Sequence, residues 1–363
     1  MLHSSQEGSD IVATRFGSAG DHGQVGIALR RSTDRGLTFL PRQDVWRETN
    51  HTIGNPAPIW NSRTGEVVLL FSRDNKEVWV MSSKTRGRSW SKPRNISAAT
   101  VPYAKDWEWV ATGPGGGIQI ERGPHAGRLV QCCDHMQCSS RGGCKDVTVQ
   151  EPWNFSHKGS HTIFSDNDGL HWQLGAVVGN GGEVWGGECS VAMQPSTDDK
   201  HDRLVMAIER DKGAEFAGQD RAFAVSTSGG ASFESLQWND TVRAQTLMSA
   251  AQSRLEGPKI RLCTGPQGVT TSDCEASMVA AKDGLYLTHV QAGRVNLTLS
   301  HLAAFDPRHE SSGLHWKRLR TLFVGSAPPG AQGAGYSSLV VDGSRLLCMW
   351  ELGSSIGIMR IPL

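Results

Sequence analysis

The chain alternates short apolar runs with polar turns, and one of those turns repeats. Val25-Gly-Ile-Ala-Leu29, Val78-Trp-Val-Met81 and Ala222-Phe-Ala-Val225 each read as a strand entering a hairpin. The turn that follows is Ser32-Thr-Asp-Arg-Gly-Leu-Thr-Phe39 in the first copy and Ser83-Lys-Thr-Arg-Gly-Arg-Ser-Trp90 in the second. It returns as Ser165-Asp-Asn-Asp-Gly-Leu-His-Trp172 and as Ser226-Thr-Ser-Gly-Gly-Ala-Ser-Phe233. A polar third residue can bond the turn backbone, the glycine supplies a positive φ, and the closing aromatic tucks under the next strand. A degenerate fifth copy is expected near Ser312-Gly-Leu-His-Trp316.

Internal repetition of a strand-and-turn unit predicts an all-β fold built from similar sheets. At about 60 residues per four-stranded blade, the chain accommodates a six-bladed β-propeller, which manages its sheet edges by radial repetition. The expected organisation is one such domain over 1–363. Composition agrees, since 42 glycines and 15 prolines suit many turns rather than long helices.

Charge removes other classes. Lys plus Arg (37) nearly balances Asp plus Glu (36), so no global field draws in nucleic acid or an anionic membrane surface. No apolar run reaches the roughly 18 to 20 residues of a membrane-spanning helix, and the segment from Met1 to Asp10 is too polar for a signal peptide. Compartment therefore stays open. Acceptor sequons at Asn50, Asn95, Asn154, Asn239 and Asn296, with eight cysteines, point toward a secretory, lysosomal or extracellular route.

The cluster Cys132, Cys133, Cys138 and Cys144 suits a local disulfide loop or a zinc knot, and Cys263 with Cys274 a short closed loop. Its spacing lacks the paired C-x2-C of a zinc ribbon, which favours disulfides. Cys189 and Cys348 sit in apolar runs and read as buried thiols. Nothing in the sequence calls for a metal or an organic cofactor.

The four turns resemble the Asp-boxes (BNR repeats) of sialidases and related propellers, where they staple turns away from the chemistry. The resemblance to the sialidase family covers nearly the whole chain. Ala13-Thr-Arg15, the loop with Asp21 and the strand to Ser32 resemble A-E-G-R, its aspartate loop and R-S-x-D-x-G, although the family glutamate is missing. Gly54-Asn-Pro-Ala-Pro58 and Thr112-Gly-Pro-Gly-Gly-Gly-Ile-Gln119 match two backbone-shaping segments. Gly186-Gly-Glu188-Cys-Ser-Val191 resembles N-E-C or N-E-S-Q, and Gly335-Tyr336-Ser-Ser-Leu339 resembles Y-S-x-L. Leu204 to Arg210 and Tyr286 to Leu299, with Arg294, resemble the strands bearing the second and third arginines of the family triad.

The resemblance implies an exo-α-sialidase acting on terminal sialic acids of glycoproteins, gangliosides and oligosaccharides, its partners being sialylated glycoconjugates. Arginines suit the sugar's carboxylate through charge-assisted, bidentate bonds. Carried over position by position, Arg15, Arg210 and Arg294 bind substrate, Tyr336 is the nucleophile, Glu188 its base and Asp21 the acid and base. Glu351 in Met349-Trp-Glu351 supports the arginines, and Trp185 is a candidate wall of the N-acetyl pocket. The alternative is a catalytically impaired propeller that binds sialoglycans or protein partners; acid, base and nucleophile together argue against it.

One departure stands out. The family's opening strand, F-R-I-P or Y-R-I-P, carries the first arginine of the triad, and no match precedes Arg15. An incomplete N-terminal strand is therefore expected, whether through truncation or through loss in a homologue. One missing charge-assisted contact to the carboxylate would cost roughly 1.5 to 3 kcal/mol.

Overall fold

The computed structural model describes residues 2–4, 10–17, 23–101, 107–113, 115–137, 157–178, 187–198, 200, 202–209, 222–233, 263–264, 276–290, 296–307, 314, 316–324, 335–352 and 355–363. These residues form antiparallel sheets that follow one another along the chain. The first holds β1 (Leu2–Ser4), β2 (Asp10–Gly17), β3 (Val25–Ser32) and β4 (Gln43–Trp46). The second holds β5 (Ile53–Asn61), β6 (Glu66–Arg73), β7 (Glu77–Ser83) and β8 (Arg94–Asn95). The third is built on β11 (Leu129–Gln137), β12 (His157–Ser165) and β13 (Gln173–Val178); its first strand is split into β9 (Trp107–Ala111) and β10 (Ile118–Gln119), both paired with β11.

The fourth sheet comprises β14 (Cys189–Gln194), β15 (Arg203–Ile208), β16 (Ala222–Ser226) and β17 (Cys263–Thr264). The fifth comprises β18 (Ser277–Ala281), β19 (Gly284–Val290), β20 (Asn296–Ala303) and β21 (Lys317–Val324). Last come β22 (Ser337–Asp342), β23 (Arg345–Leu352) and β24 (Ser355–Pro362), a three-stranded sheet.

The count of six full blades is therefore corrected. Among the described residues five sheets have four or more strands, and the last ends at β24 with no fourth strand paired to it. The opening strand β1 is three residues long and pairs through Leu2↔Val12 to Ser4↔Asp10, so the first sheet is not the short one. Most of the expected fifth turn, including Ser312, lies outside the described residues.

Packing makes the arrangement a propeller. First strands touch in sequence: β1 on β5, β10 on β5, β14 on β18, β18 on β22 and β22 on β1, with β11 against β14. The cores lie between sheets, not inside one layer. In β11, Leu129 and Cys133 face the second sheet's Ile59, Val68 and Leu70, while Val130 and Cys132 face the fourth sheet's Val191, Leu204 and Met206. Burial on both faces is why such strands read as continuous apolar runs rather than alternating ones. Phe39 of the first sheet's turn packs on Leu347 and Met349 of the last sheet.

The four repeated turns join the third and fourth strands of the first four sheets and share one geometry. The glycine amide donates to the opening serine Oγ at 2.7 Å in Gly36, 2.8 Å in Gly87, 2.9 Å in Gly169 and 3.0 Å in Gly230. All four glycines have φ between +73° and +86°, which an L side chain resists. The third residue closes the turn: Thr38 N donates to Asp34 Oδ1 at 2.8 Å and His171 N to Asn167 Oδ1 at 2.8 Å. The bonds from Thr38 hold the Asp34 carboxyl down at about 2. Trp172 and Phe233 then sit buried below.

The cysteine expectation is corrected for the part of the cluster that lies in β11, while Cys189 and Cys348 are buried thiols as expected. Cys132 and Cys133 are successive residues of β11 that point to opposite faces, both buried. Cys133 is a free thiol whose pKa is pushed well up by burial, and Cys189 Sγ donates to its carbonyl at 3.4 Å. Cys138, Cys144 and Cys274 lie outside the described residues. No helix of the described residues is long and apolar enough to cross a membrane.

Candidate active site

Strands alternate direction, so the repeated turns lie at the end of the ring opposite the N-termini of the first strands. Glu188 and Tyr336 both stand at those N-termini, immediately ahead of β14 and β22. Their side chains meet: Tyr336 Oη donates to Glu188 Oε1 at 2.7 Å, in a half-buried setting.

Each is fixed by the second strand of its own sheet in the same way. Glu209 N, just past β15, donates to the Glu188 carbonyl at 2.8 Å, and Glu351 N, in β23, donates to the Tyr336 carbonyl at 2.8 Å. Gly335 N closes a second bond to the Glu351 carbonyl at 3.0 Å. The residue ahead of each is a glycine, and a neighbouring carboxylate lies against its Cβ position. A side chain at Gly187 would meet Glu209 Oε2 at 2.9 Å, and one at Gly335 would collide with Glu351 Oε2. That Glu351 oxygen is buried, with no hydrogen-bond partner among the described residues.

Two further motifs join the second and third sheets. Asn55 of Gly54-Asn-Pro-Ala-Pro58 takes φ +51°, within a register shift between Gly54 and Ala57. Its carbonyl accepts from Thr112 Oγ1 at 2.7 Å, where the glycine-rich segment interrupts the strand between β9 and β10. Gly113 has φ +102°, and a Cβ there would strike Gly115.

A third carboxyl, not singled out in the sequence, joins this end. Asp134 in β11 is buried and accepts from Trp109 Nε1 at 3.1 Å. Burial foremost, and then the Glu209 carboxylate, push its pKa up to about 8, so at neutral pH it is largely protonated. Its only sequence signal was a charge inside the buried-looking run Leu129 to Gln137. Beside it, His135 and His161 are fully buried with Nδ1 atoms 3.0 Å apart, and Trp107 stacks on His135 at 3.8 Å. Burial, then His135, hold the His161 pKa well below its usual value.

Arg73, at the end of β6, is committed elsewhere: it donates to Glu48 at 2.8 Å and to Glu77 at 3.1 Å, and contacts His51 Nε2 at 2.7 Å. Of the expected arginines, Arg15 occupies a position in β2 paired with Ile27. Arg210, Arg294, Asp21 and Trp185 lie outside the described residues. Among the described residues no group of three or more His, Cys, Asp or Glu is placed to hold a metal ion.

A phenol hydrogen-bonded to a carboxylate at this distance can pass its proton to that carboxylate as it attacks an electrophile. Known proteins place the same sheets in a family. Sialidase-3 of Rattus norvegicus is 27% identical over 237 residues, 60% of this chain and 52% of the relative. Sialidase-4 of Homo sapiens is 25% identical over 47% of this chain and 38% of its own length, and the sialidase of Micromonospora viridifaciens is 30% identical over 58% and 31%. The matched regions thus span about half or less of these relatives. Among solved structures, the Hadza microbial sialidase Hz136 superposes with a TM-score of 0.69 at 18% identity, covering 100% of this chain and 65% of that one. The intramolecular trans-sialidase of Ruminococcus gnavus gives 0.72 at 12% identity, covering 100% and 93%. At such identities the structures show the shared fold. The BNR repeat-like domain family matches residues 9–348, nearly the whole chain, and the chain belongs to it as a sialidase-family β-propeller.

Proposed function

We propose that residues 1–363 act as one exo-α-sialidase that hydrolyses terminal sialic acids with retention of anomeric configuration. The observation that carries this reading is the Tyr336–Glu188 hydrogen bond, which joins the fourth and sixth sheets at the end of the ring where their first strands begin. A carboxylate nucleophile would be repelled by the carboxylate that sialic acid bears on its anomeric carbon. A neutral tyrosine avoids that repulsion, and tyrosine is the nucleophile by which sialidases depart from the two-carboxylate pattern of glycosidases.

In the first step Tyr336 Oη bonds to the anomeric carbon and Glu188 takes the phenolic proton. The glycosidic C–O bond breaks as Asp21 protonates the leaving oxygen. In the second step Asp21 takes a proton from water, whose oxygen bonds to the anomeric carbon. The tyrosyl C–O bond breaks and Glu188 returns the proton. Two inversions give net retention.

In this reading Arg210 and Arg294 hold the carboxylate and Arg15 lines the substrate site. Arg210 follows Glu209 at the end of β15, and Arg294 falls in the connection between β19 and β20. Asp21 falls between β2 and β3, strands whose near ends lie at the same end of the ring. Glu351, with its buried oxygen, supports the arginines. The substrates are sialylated glycoproteins, gangliosides and oligosaccharides.

Release of 4-methylumbelliferone from its α-sialoside tests the reading. Turnover by the chain that falls by about 10² or more in Tyr336→Phe supports it. Binding of sialosides without turnover would replace it with a sialoglycan-binding propeller.

A further inference from the structure

Glu188 and Tyr336 belong to the fourth and sixth sheets, so something between them must set their separation. The fifth sheet lies there, and its first strand meets both neighbours through consecutive residues. Met278 N donates to Ser190 Oγ at 3.0 Å, two residues beyond Glu188. Ser277 Oγ accepts from Leu339 N at 2.8 Å, three residues beyond Tyr336. Thr288, directly opposite Ser277 in the β18–β19 register, places its Oγ1 3.0 Å from Ser337 Oγ, the residue next to Tyr336. On the far side, Ser160 Oγ donates to the Gly187 carbonyl at 2.6 Å, immediately ahead of Glu188.

These hydroxyls are all buried: Ser160 and Thr288 are 0% exposed, Ser190 3%, Ser337 6% and Ser277 7%. Other polar bonds also cross between sheets, such as Thr162 Oγ1 to the Gly230 carbonyl at 2.6 Å and Gln194 Nε2 to the Ala303 carbonyl at 2.7 Å, but these hydroxyls are the ones that flank Glu188 and Tyr336. A buried hydroxyl bonded to a backbone amide or carbonyl has a narrow range of distance and angle, and breaking it leaves a desolvated polar group. Each clip also falls within three residues of Glu188 or Tyr336. We infer that Ser190, Ser277 and Thr288 are positioning residues that use the fifth sheet as a fixed spacer to hold Tyr336 Oη against Glu188, with Ser160 anchoring Glu188 to the third sheet on the other side. The inference rests on the proposed sialidase chemistry for its effect on rate, but not for the geometry.

The clearest probe is Thr288, where valine removes the hydroxyl at nearly constant volume and serine keeps it. Because misplacement of reacting groups by about 1 Å can cost 10²-fold, Thr288→Val and Ser190→Ala are expected to lower kcat about tenfold or more. KM should stay within about twofold, since the groups that bind substrate are untouched. Thr288→Ser should keep most of the wild-type kcat. Lower melting temperatures with unchanged kcat in Thr288→Val and Ser190→Ala would overturn the inference, as would an equal loss in Thr288→Ser.

A second measurement does not depend on turnover. The chain has three tyrosines, so subtracting the Tyr336→Phe curve isolates the ultraviolet titration of Tyr336. That titration is expected to move in Thr288→Val and to stay in place in Thr288→Ser. If the wild-type chain cleaves no sialoside, the functional reading fails by itself. A titration unmoved by Thr288→Val would then still overturn the positioning role, and a moved one would support it.

Discussion

Glu188 and Tyr336 are separated by 148 residues of chain and by 2.7 Å between side-chain oxygens. Neither residue is held by sequence neighbours alone. Each backbone is tied to the second strand of its own sheet, through Glu209 and Glu351, and the sheets are tied to each other by buried hydroxyls.

Two groups that share one proton should not contribute independently. Glu188→Gln and Tyr336→Phe are each expected to lower kcat by about 10² or more, and the double variant should lose little beyond the worse single one. Steady-state kinetics on the fluorogenic sialoside decides this; losses that multiply would show that the residues act separately.

Asp134 makes stability depend on pH in a stated direction. Its pKa is raised from an ordinary 3.8 to about 8 on folding, so its contribution is fully present below about pH 4 and lost as pH rises through about 8. Asp134→Asn removes that dependence while leaving an acceptor for Trp109 Nε1. The melting temperature of the variant relative to wild type should therefore climb between about pH 4 and about pH 8 and level off above. Parallel melting curves across that range would show that Asp134 is not held protonated.

The repeated turns should matter for stability and not for chemistry. Gly169 has φ +84°, and alanine there is expected to cost about 1 kcal/mol or more, read as a lower urea midpoint. The protein that remains folded should keep its specific activity, because the turn lies at the end of the ring opposite Tyr336. A fall in kcat at constant midpoint would contradict this division.

The sequence by itself determined the repeated unit. The bonds within the turn, such as Gly169 N to Ser165 Oγ and His171 N to Asn167 Oδ1, span no more than four positions, so the motif carries its own structure. It likewise marked Glu188 and Tyr336, through short motifs with glycine in front, and the tertiary structure sets those glycines beside the carboxylates of Glu209 and Glu351.

What only the tertiary structure decided depends on how the sheets close on one another. That the last sheet ends at β24 without a fourth strand among the described residues was not legible in the sequence, because pairing to a sheet edge is a non-local event that no local motif announces. Cys132 and Cys133 face opposite interfaces because β11 is buried on both sides, which their spacing alone could not reveal. Asp134 looks like any strand aspartate until burial removes its water and Glu209 adds a like charge. The contact between Glu188 and Tyr336 is of the same kind: local hydrogen bonds fix a turn, but the distance between two strand ends is fixed by the buried polar contacts of the sheet between them.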